Sequence, residues 1–253
     1  MAAVTKFGAS AAVSHLRHIL REVKKPRNID INPARTPLNY FLSPQRHMKP
    51  YTYLQKRLRE VRCQNREDVN VMCGWVITKP KDLPELREEK FFRACYDFLE
   101  QRYGGKKNVV SAVVHKDESG EAHLHFYFVP VAKCTPNETM VRVIRYMEQH
   151  PTASNVTYIA RDLGISRKTV RRYWNMTEAD IKGEKLSAMD VVNLYDLQTF
   201  HPDLKKYLER AGIKANVSTG ITREQGGNRT VAELKRERDA MLHEQEHDPK
   251  YNY

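Results

Sequence analysis

Three of the chain's ten histidines fall within eleven residues, in the run His115-Lys-Asp117-Glu118-Ser-Gly-Glu-Ala-His123-Leu-His125. Residues two apart on a strand project from the same face, so His123 and His125 point together while Leu124, Phe126 and Phe128 point the other way, into a core. If a turn centres on Ser119, His115 stands directly opposite His123 and shares its face. Three imidazoles converging on one point suit a divalent transition ion, and nearby carboxylates admit Mn²⁺ or Mg²⁺. Asp117 and Glu118, in the turn, can orient a ligand or a nucleophile. The plainer alternative is a hairpin that carries a surface patch of histidines. One histidine would favour that alternative; three on one face beside two acids favour the metal.

The elements that must hold this cluster can be read from periodicity. Residues 108–115 (NVVSAVVH) form a β-branched run, DESGE has turn chemistry, and residues 123–130 (HLHFYFVP) alternate strictly, which together predict an antiparallel hairpin. VMCGWVIT predicts a further buried strand over 71–78, and residues 88–103 a helix closed by Gly104 and Gly105. An amphipathic helix is expected over about 10–25, ended by Lys-Lys-Pro-Arg, then loop through about 42 and a basic helix over about 51–63. Beyond Pro130 the chain reads as helical: 139–150, 155–174, 185–208 and a highly charged 230–247.

Composition points to the partner. The formal net charge is +12, high enough to suggest a polyanion. It is concentrated in residues 1–70, with 14 Lys+Arg against 5 Asp+Glu, and in residues 133–184, with 9 against 6. Cys63, Cys73, Cys95 and Cys134 are scattered without a Cys-x-x-Cys pair, which argues against a disulfide framework or zinc knuckle. No apolar run is long enough for a membrane span and the first residues make a poor signal peptide, so a cytoplasmic protein is expected.

The histidine block resembles the H-x-D-E-x-x-P-H-x-H motif of MOBV (Pre/Mob) plasmid mobilisation relaxases, members of the HUH endonuclease superfamily. Here the turn has one extra residue and Ala122 replaces the Pro. Asn28-Ile-Asp30-Ile-Asn32-Pro-Ala-Arg35-Thr-Pro-Leu-Asn39-Tyr40 is similar to that family's N-terminal motif, and His18-Ile-Leu-Arg21 to its His-x-x-Arg, ten residues upstream. Weaker likeness runs through WVIT, FLEQRYG and residues 229–236. The resemblance implies metal-dependent nicking and rejoining of one DNA strand at a transfer origin, through a covalent 5′-phosphoryl-enzyme link, in a bacterial, plasmid- or mobile-element-encoded protein. It implies His18 as nucleophile, with Arg21 on the same phosphate or its neighbour, Glu118 beside them, and His115, His123 and His125 on the metal. His15, Tyr40, Tyr146 and Tyr158 are rival nucleophiles that the chemistry also permits. Arg35, Asn39, Tyr40, Arg62 and Arg66 become candidate DNA contacts, and relaxosome or coupling proteins candidate partners.

Residues 157–174 fit a helix-turn-helix. Ala160 is small where two helices touch, Gly164 sits where the turn needs a positive φ, and Val170 packs the second helix back. That helix would expose Ser166, Arg167, Lys168, Thr169, Arg171 and Arg172 to a major groove; the alternative is a helical hairpin with a solvated basic face. The likeness to relaxases breaks near 132 and resumes near 185. The expected architecture is therefore α+β: an antiparallel-sheet HUH domain with helices on one side, its core in 1–131 and 185–229, an all-α helix-turn-helix inserted at 132–184, and a charged helix or tail over 230–253. Two other functions stay open: a rolling-circle replication initiator with a Tyr nucleophile, and a non-catalytic DNA-binding regulator.

Overall fold

A computed structural model of the chain describes residues 2–23, 28, 30–64, 66–134, 137–176 and 183–217. The hairpin is its centre. Strand β4 (Val109–His115) and strand β5 (His123–Phe128) pair antiparallel with His115 opposite His123, as the turn position requires. Strand β3 (Met72–Thr78) lies on the other side of β5. Two strands that periodicity does not announce complete the sheet. Strand β1 (Ala2–Phe7) pairs with β3, and the two-residue β2 (Tyr40–Phe41) pairs with β4. The order is β1-β3-β5-β4-β2, all antiparallel, with the histidine-bearing β5 in the middle.

Helices cover both faces of this sheet, not one. Every residue of β4 is buried, which a sheet with one wet face cannot provide. On one face pack α1 (Ala9–Ile19) and α2 (Pro50–Glu60), through Leu16, Ile19 and Leu54 against Met72, Val113 and Tyr127. On the other pack α3 (Glu88–Arg102) and a later helix over Leu194–Arg210, through Phe91, Phe92, Leu99, Phe200 and Leu204 against Trp75, Leu124, Phe126 and Phe128. Trp75 stacks flat on Phe200 with ring centroids 3.5 Å apart and donates its indole N–H to Tyr103, which in turn bonds Asp196. Gly74 in β3 is required by a close approach: a Cβ there would lie 2.3 Å from the Tyr127 ring.

The first helix ends earlier than its periodicity suggests. α1 stops at Ile19, and Arg21 adopts a left-handed backbone with φ 56°. After it, Pro33–Leu38 forms a 3₁₀ turn where loop was expected, with the Asn32 side chain capping its start.

The chain then leaves the sheet through strand β6 (Val131–Lys133) and returns through β7 (Glu184–Leu186), and these two pair antiparallel as a separate ribbon. Between them lie α4 (Glu138–Gln149), α5 (Val156–Asp162) and α6 (Arg167–Tyr173), with small cores of their own around Val143, Ile144, Ile159, Ala160 and Val170. Asn137, Asn155 and Ser166 cap the three helices in turn. The single helix expected over 185–208 is instead β7, a one-turn α7 (Ala188–Val191) and α8 (Leu194–Arg210). Ser187 and Asn193 break it, because each turns its side chain onto the next helix's N-terminal amides. The helix expected over 230–247 and the similarity at 229–236 lie outside the described residues.

Candidate catalytic and metal-binding site

The hairpin's two-residue period brings the three imidazoles together on the face that carries α1. Ring centroids are 4.7 Å apart for His115 and His125, 4.9 Å for His123 and His125, and 5.6 Å for His115 and His123. One ligand nitrogen from each lies within 4.8 Å of the others, and His115, Asp117 and Glu118 form an overlapping group of the same kind. His115 is fully buried, and its Nε2 donates to the Ile19 carbonyl at 2.8 Å. That bond fixes the tautomer and leaves Nδ1 as the lone-pair nitrogen. His115 Nδ1 and His125 Nδ1 are both buried without a hydrogen-bond partner. Orphaned buried nitrogens of this kind are costly unless something binds them, so the residues present fit a divalent ion. Burial depresses both histidines, His115 to about 4 and His125 well below its ordinary value, so each is neutral near pH 7 and its lone pair is free for a metal.

The two acids of the turn divide their work. Asp117 is wholly buried and is the hub of a clamp. Arg21 donates to it twice, Nε to Oδ2 at 2.9 Å and Nη2 to Oδ1 at 2.5 Å, and Thr36 Oγ1 donates at 2.9 Å. Its backbone carbonyl accepts from Asn32 N–H at 2.7 Å. Burial alone would push the Asp117 carboxyl up, but the hydrogen bonds from Arg21, Asn39 and Thr36 prevail and hold it well below the usual carboxylate range. Glu118 accepts from Arg21 at 2.8 Å and stands 3.7 Å from His115 Nδ1 and 3.8 Å from His123 Nε2. The left-handed turn at Arg21 thus lets one guanidinium tie the end of α1 to both acids of the hairpin.

His18 is in the last turn of α1, half-buried, immediately before the Ile19 carbonyl that anchors His115. Burial and the Arg21 charge lower its pKa against the opposing pull of Glu118 and Asp117, and its charge is felt in turn by His125. His18, Arg21, Glu118 and the three hairpin histidines therefore form one cluster. His15, one turn earlier, instead packs its ring on Phe7 at 4.4 Å.

Other sequence candidates are placed differently. Tyr40 is opposite Val114, so its side chain stands on the α3 face, away from the histidines. Its hydroxyl is buried without a partner, and burial, with Glu88 and Glu89 nearby, raises its pKa. On that face, Tyr40 stands apart from the histidine cluster. Asn39 was expected at DNA, but its Oδ1 accepts the Lys116 N–H at 2.7 Å, which makes it part of the clamp. Arg35 is exposed on the 3₁₀ turn. Arg62 follows α2 and its backbone pairs with β7, while the Arg66 guanidinium is bidentate on Asp68. Thr36 and the Ile19 carbonyl carried no chemical signal in sequence; only the fold shows what they hold.

In the helical segment, Gly164 has φ 65° between α5 and α6, and Ala160 and Val170 are buried as the motif demands. Arg167, Lys168, Arg171 and Arg172 are exposed along α6. Ser166 is engaged locally, capping the helix at the Thr169 amide and sharing a 2.8 Å bond with the Thr169 hydroxyl.

The family profile described as plasmid recombination enzyme (Mob_Pre) matches residues 1–152. Plasmid recombination enzymes of Bacillus thuringiensis and Lactiplantibacillus plantarum are 29% and 31% identical over 51% of this chain, which is 29% and 37% of their own lengths. A Staphylococcus aureus plasmid recombination enzyme type 1 is 33% identical over 50% of the chain and 32% of its own. The chain thus spans well under half of these relatives. Among solved structures, the MobM relaxase domain, Mn-bound and in complex with plasmid pMV158 oriT DNA, matches with a TM-score of 0.63 and 23% identity over 94% of this chain and 97% of that one. At that identity the likeness is one of fold.

Proposed function

The chain belongs to the plasmid recombination enzyme (Mob_Pre) family, and on that premise we propose that it is a relaxase that cuts and rejoins one DNA strand at a plasmid transfer origin, with His18 as the attacking group. The observation that carries this reading is the convergence of three imidazoles, two of them kept neutral by burial and with orphaned buried nitrogens, beside a fourth histidine at the end of α1. His115, His123 and His125 would hold a divalent ion, Mn²⁺ or Mg²⁺, the solved MobM domain being Mn-bound. When bound, the ion supplies charge stabilisation to the oxygens of the scissile phosphate.

The chain's own residues do the rest. The lowered pKa of His18 keeps its imidazole neutral near pH 7, with a lone pair on one nitrogen. As that nitrogen bonds to phosphorus, the P–O3′ bond breaks. The 3′ oxygen leaves with the electron pair and takes a proton from solvent, and the 5′ phosphoryl stays on His18. Attack by a 3′-hydroxyl reverses these bonds and rejoins the strand, so the energy of the broken link is kept. Arg21, already committed to Asp117 and Glu118, sets the position of His18 against the hairpin; its part is to place the nucleophile, while the phosphate is held elsewhere. Glu118 is near enough to His115 and His123 to orient both rings.

The basic face of α6 is read as a duplex grip beside the nick, with Arg167, Lys168, Arg171 and Arg172 on phosphates and base edges. Residues 132–184 then form an inserted DNA-binding subdomain in a cytoplasmic, plasmid-borne enzyme, and relaxosome or coupling proteins would be its further partners. Among the described residues no helix is long and apolar enough to cross a membrane.

The test is cleavage of labelled single-stranded DNA from the neighbouring intergenic region, with Mn²⁺ or Mg²⁺ and with chelator, by the wild type, His18→Ala and Tyr40→Phe. A metal-dependent cut with a protein–DNA adduct lost only in His18→Ala is expected. An adduct lost only in Tyr40→Phe would move the reading to a tyrosine initiator. Duplex binding without any cut would make the protein a regulator.

A further inference from the structure

A cleft of about 400 Å³ opens at the C-terminal end of α1, between the edge strand β2 and the start of α2. That volume lies within the roughly 300–1,000 Å³ of small-ligand sites. It adjoins the catalytic cluster along the chain, because Leu20 and Glu22, which flank Arg21, form one wall. It adjoins it on the sheet too, since Phe41 pairs with Val113 and so stands on the histidine face, unlike its neighbour Tyr40.

The lining has an uncommon character. The Phe41 ring is 59% exposed at the rim of the sheet, while the backbone beside it is held by Leu42 and Ser43 N–H groups on the Ala112 carbonyl. A large ring displayed on a fixed strand is a preorganised surface on which a base can stack. Opposite, Arg46 lies 3.6 Å over the Tyr53 ring, and both are pinned, Arg46 to the Lys106 carbonyl and Tyr53 to the Lys107 carbonyl. Ser43 and Gln45 add a hydroxyl and an amide to the same lining. Arg46 brings a guanidinium to the lining, and Glu22, the acid of the same wall, is paired with the exposed Lys49 beside the cleft at 3.4 Å. An aromatic face, an apolar floor, an amide that both donates and accepts, and the Arg46 guanidinium together complement a nucleobase on a phosphate backbone.

We propose that this cleft takes one unstacked base of the bound single strand, stacked on Phe41 and read at its edge by Gln45 and Ser43. It thereby sets the register of the strand at His18. The proposal rests on the single-strand reading above and adds a specificity subsite to it.

Anisotropy of two labelled single-stranded probes of equal length at fixed salt tests it, one bearing bases and one with an abasic backbone. Phe41→Ala is expected to weaken binding of the base-bearing probe by about 5- to 150-fold, the range of one lost base–aromatic stack. The abasic probe is expected to bind Phe41→Ala and wild type alike, and Phe41→Trp to retain the wild-type affinity. Gln45→Ala is expected to change the ranking of dA, dC, dG and dT homopolymers. Unchanged binding of the base-bearing probe by Phe41→Ala would overturn the cleft proposal alone, as would an equal loss on both probes. Absence of single-strand binding by the wild type would overturn the parent reading as well.

Discussion

Arg21→Ala probes the part of the site that depends most on geometry. The guanidinium makes two hydrogen bonds to Asp117, whose side chain is fully buried, and one to Glu118. Removing one partner of a sealed ion pair costs about 3–5 kcal/mol, because the other charge is left in a low dielectric. Arg21 keeps 13% of its side chain exposed and Glu118 18%, so water can reach the gap. Thr36 still donates to Asp117. The expected loss is therefore nearer ~2–3 kcal/mol, a fall in Tm of about 4–12 °C for a chain of this size. Urea unfolding of the metal-free protein measures it, and a double-mutant cycle with Asp117→Asn isolates the pair at about 1–3 kcal/mol. Because Arg21 has φ 56°, Arg21→Gly is expected to be more stable than Arg21→Ala by roughly 0.5–1 kcal/mol, since only the alanine pays for the left-handed backbone. A coupling below about 0.5 kcal/mol would refute the view that this clamp holds α1 on the hairpin.

Further outcomes follow from the same geometry. Mn²⁺ at about a hundred times its Kd should stabilise the fold by about 2.7 kcal/mol; His125→Ala should abolish the shift, and a persistent shift would place the ion elsewhere. In metal-free protein, His115 has a folded pKa of about 4 against 6.5 unfolded. Below pH 6.5 the unfolded chain takes up a proton that the folded chain does not, so stability falls as pH drops from 6.5 towards 4, with a slope approaching ~1.4 kcal/mol per pH unit from this group; a flat denaturation profile there would contradict its burial. Cys63 is exposed, whereas Cys73 is buried with a thiol pushed up to about 12 and Cys95 is pushed up by burial as well. Alkylation near pH 8 should therefore modify Cys63 first and reach Cys73 and Cys95 only on unfolding, which peptide mass mapping can follow. Replacing Arg171 and Arg172 by Ala should weaken duplex binding and shrink its log–log salt slope by roughly 0.9 per lost phosphate contact; an unchanged slope would remove α6 from the DNA.

Sequence carried the site further than it carried the fold around it. The hairpin was legible because alternation and turn chemistry act over a dozen residues, and they place His115 opposite His123 without help. The two short helices α5 and α6 with the positive-φ Gly164 between them were legible for the same reason, as their contacts are local. β1 was not, since AAVTKF has no marked alternation and is a strand only because β3 offers an edge. Helices on both faces were equally hidden, although the unbroken apolar run VVSAVV in β4 was a usable sign. The end of α1 is set by a tertiary pull, Arg21 reaching Asp117 ninety-six residues on, which no local propensity encodes. The same holds for Tyr40: the motif names the residue, but the register of a two-residue strand decides its face.

The β6–β7 ribbon has a consequence for how such a protein can change over time. Val131 pairs with Leu186 and Lys133 with Glu184, so the polypeptide departs and re-enters through adjacent strands, about 4.8 Å apart. A segment with neighbouring ends can be lengthened, shortened or exchanged with little entropic cost to its host. The ribbon thus acts as a cassette joint: lineages, or a designer, can trade the helices beyond it for others without disturbing the histidines.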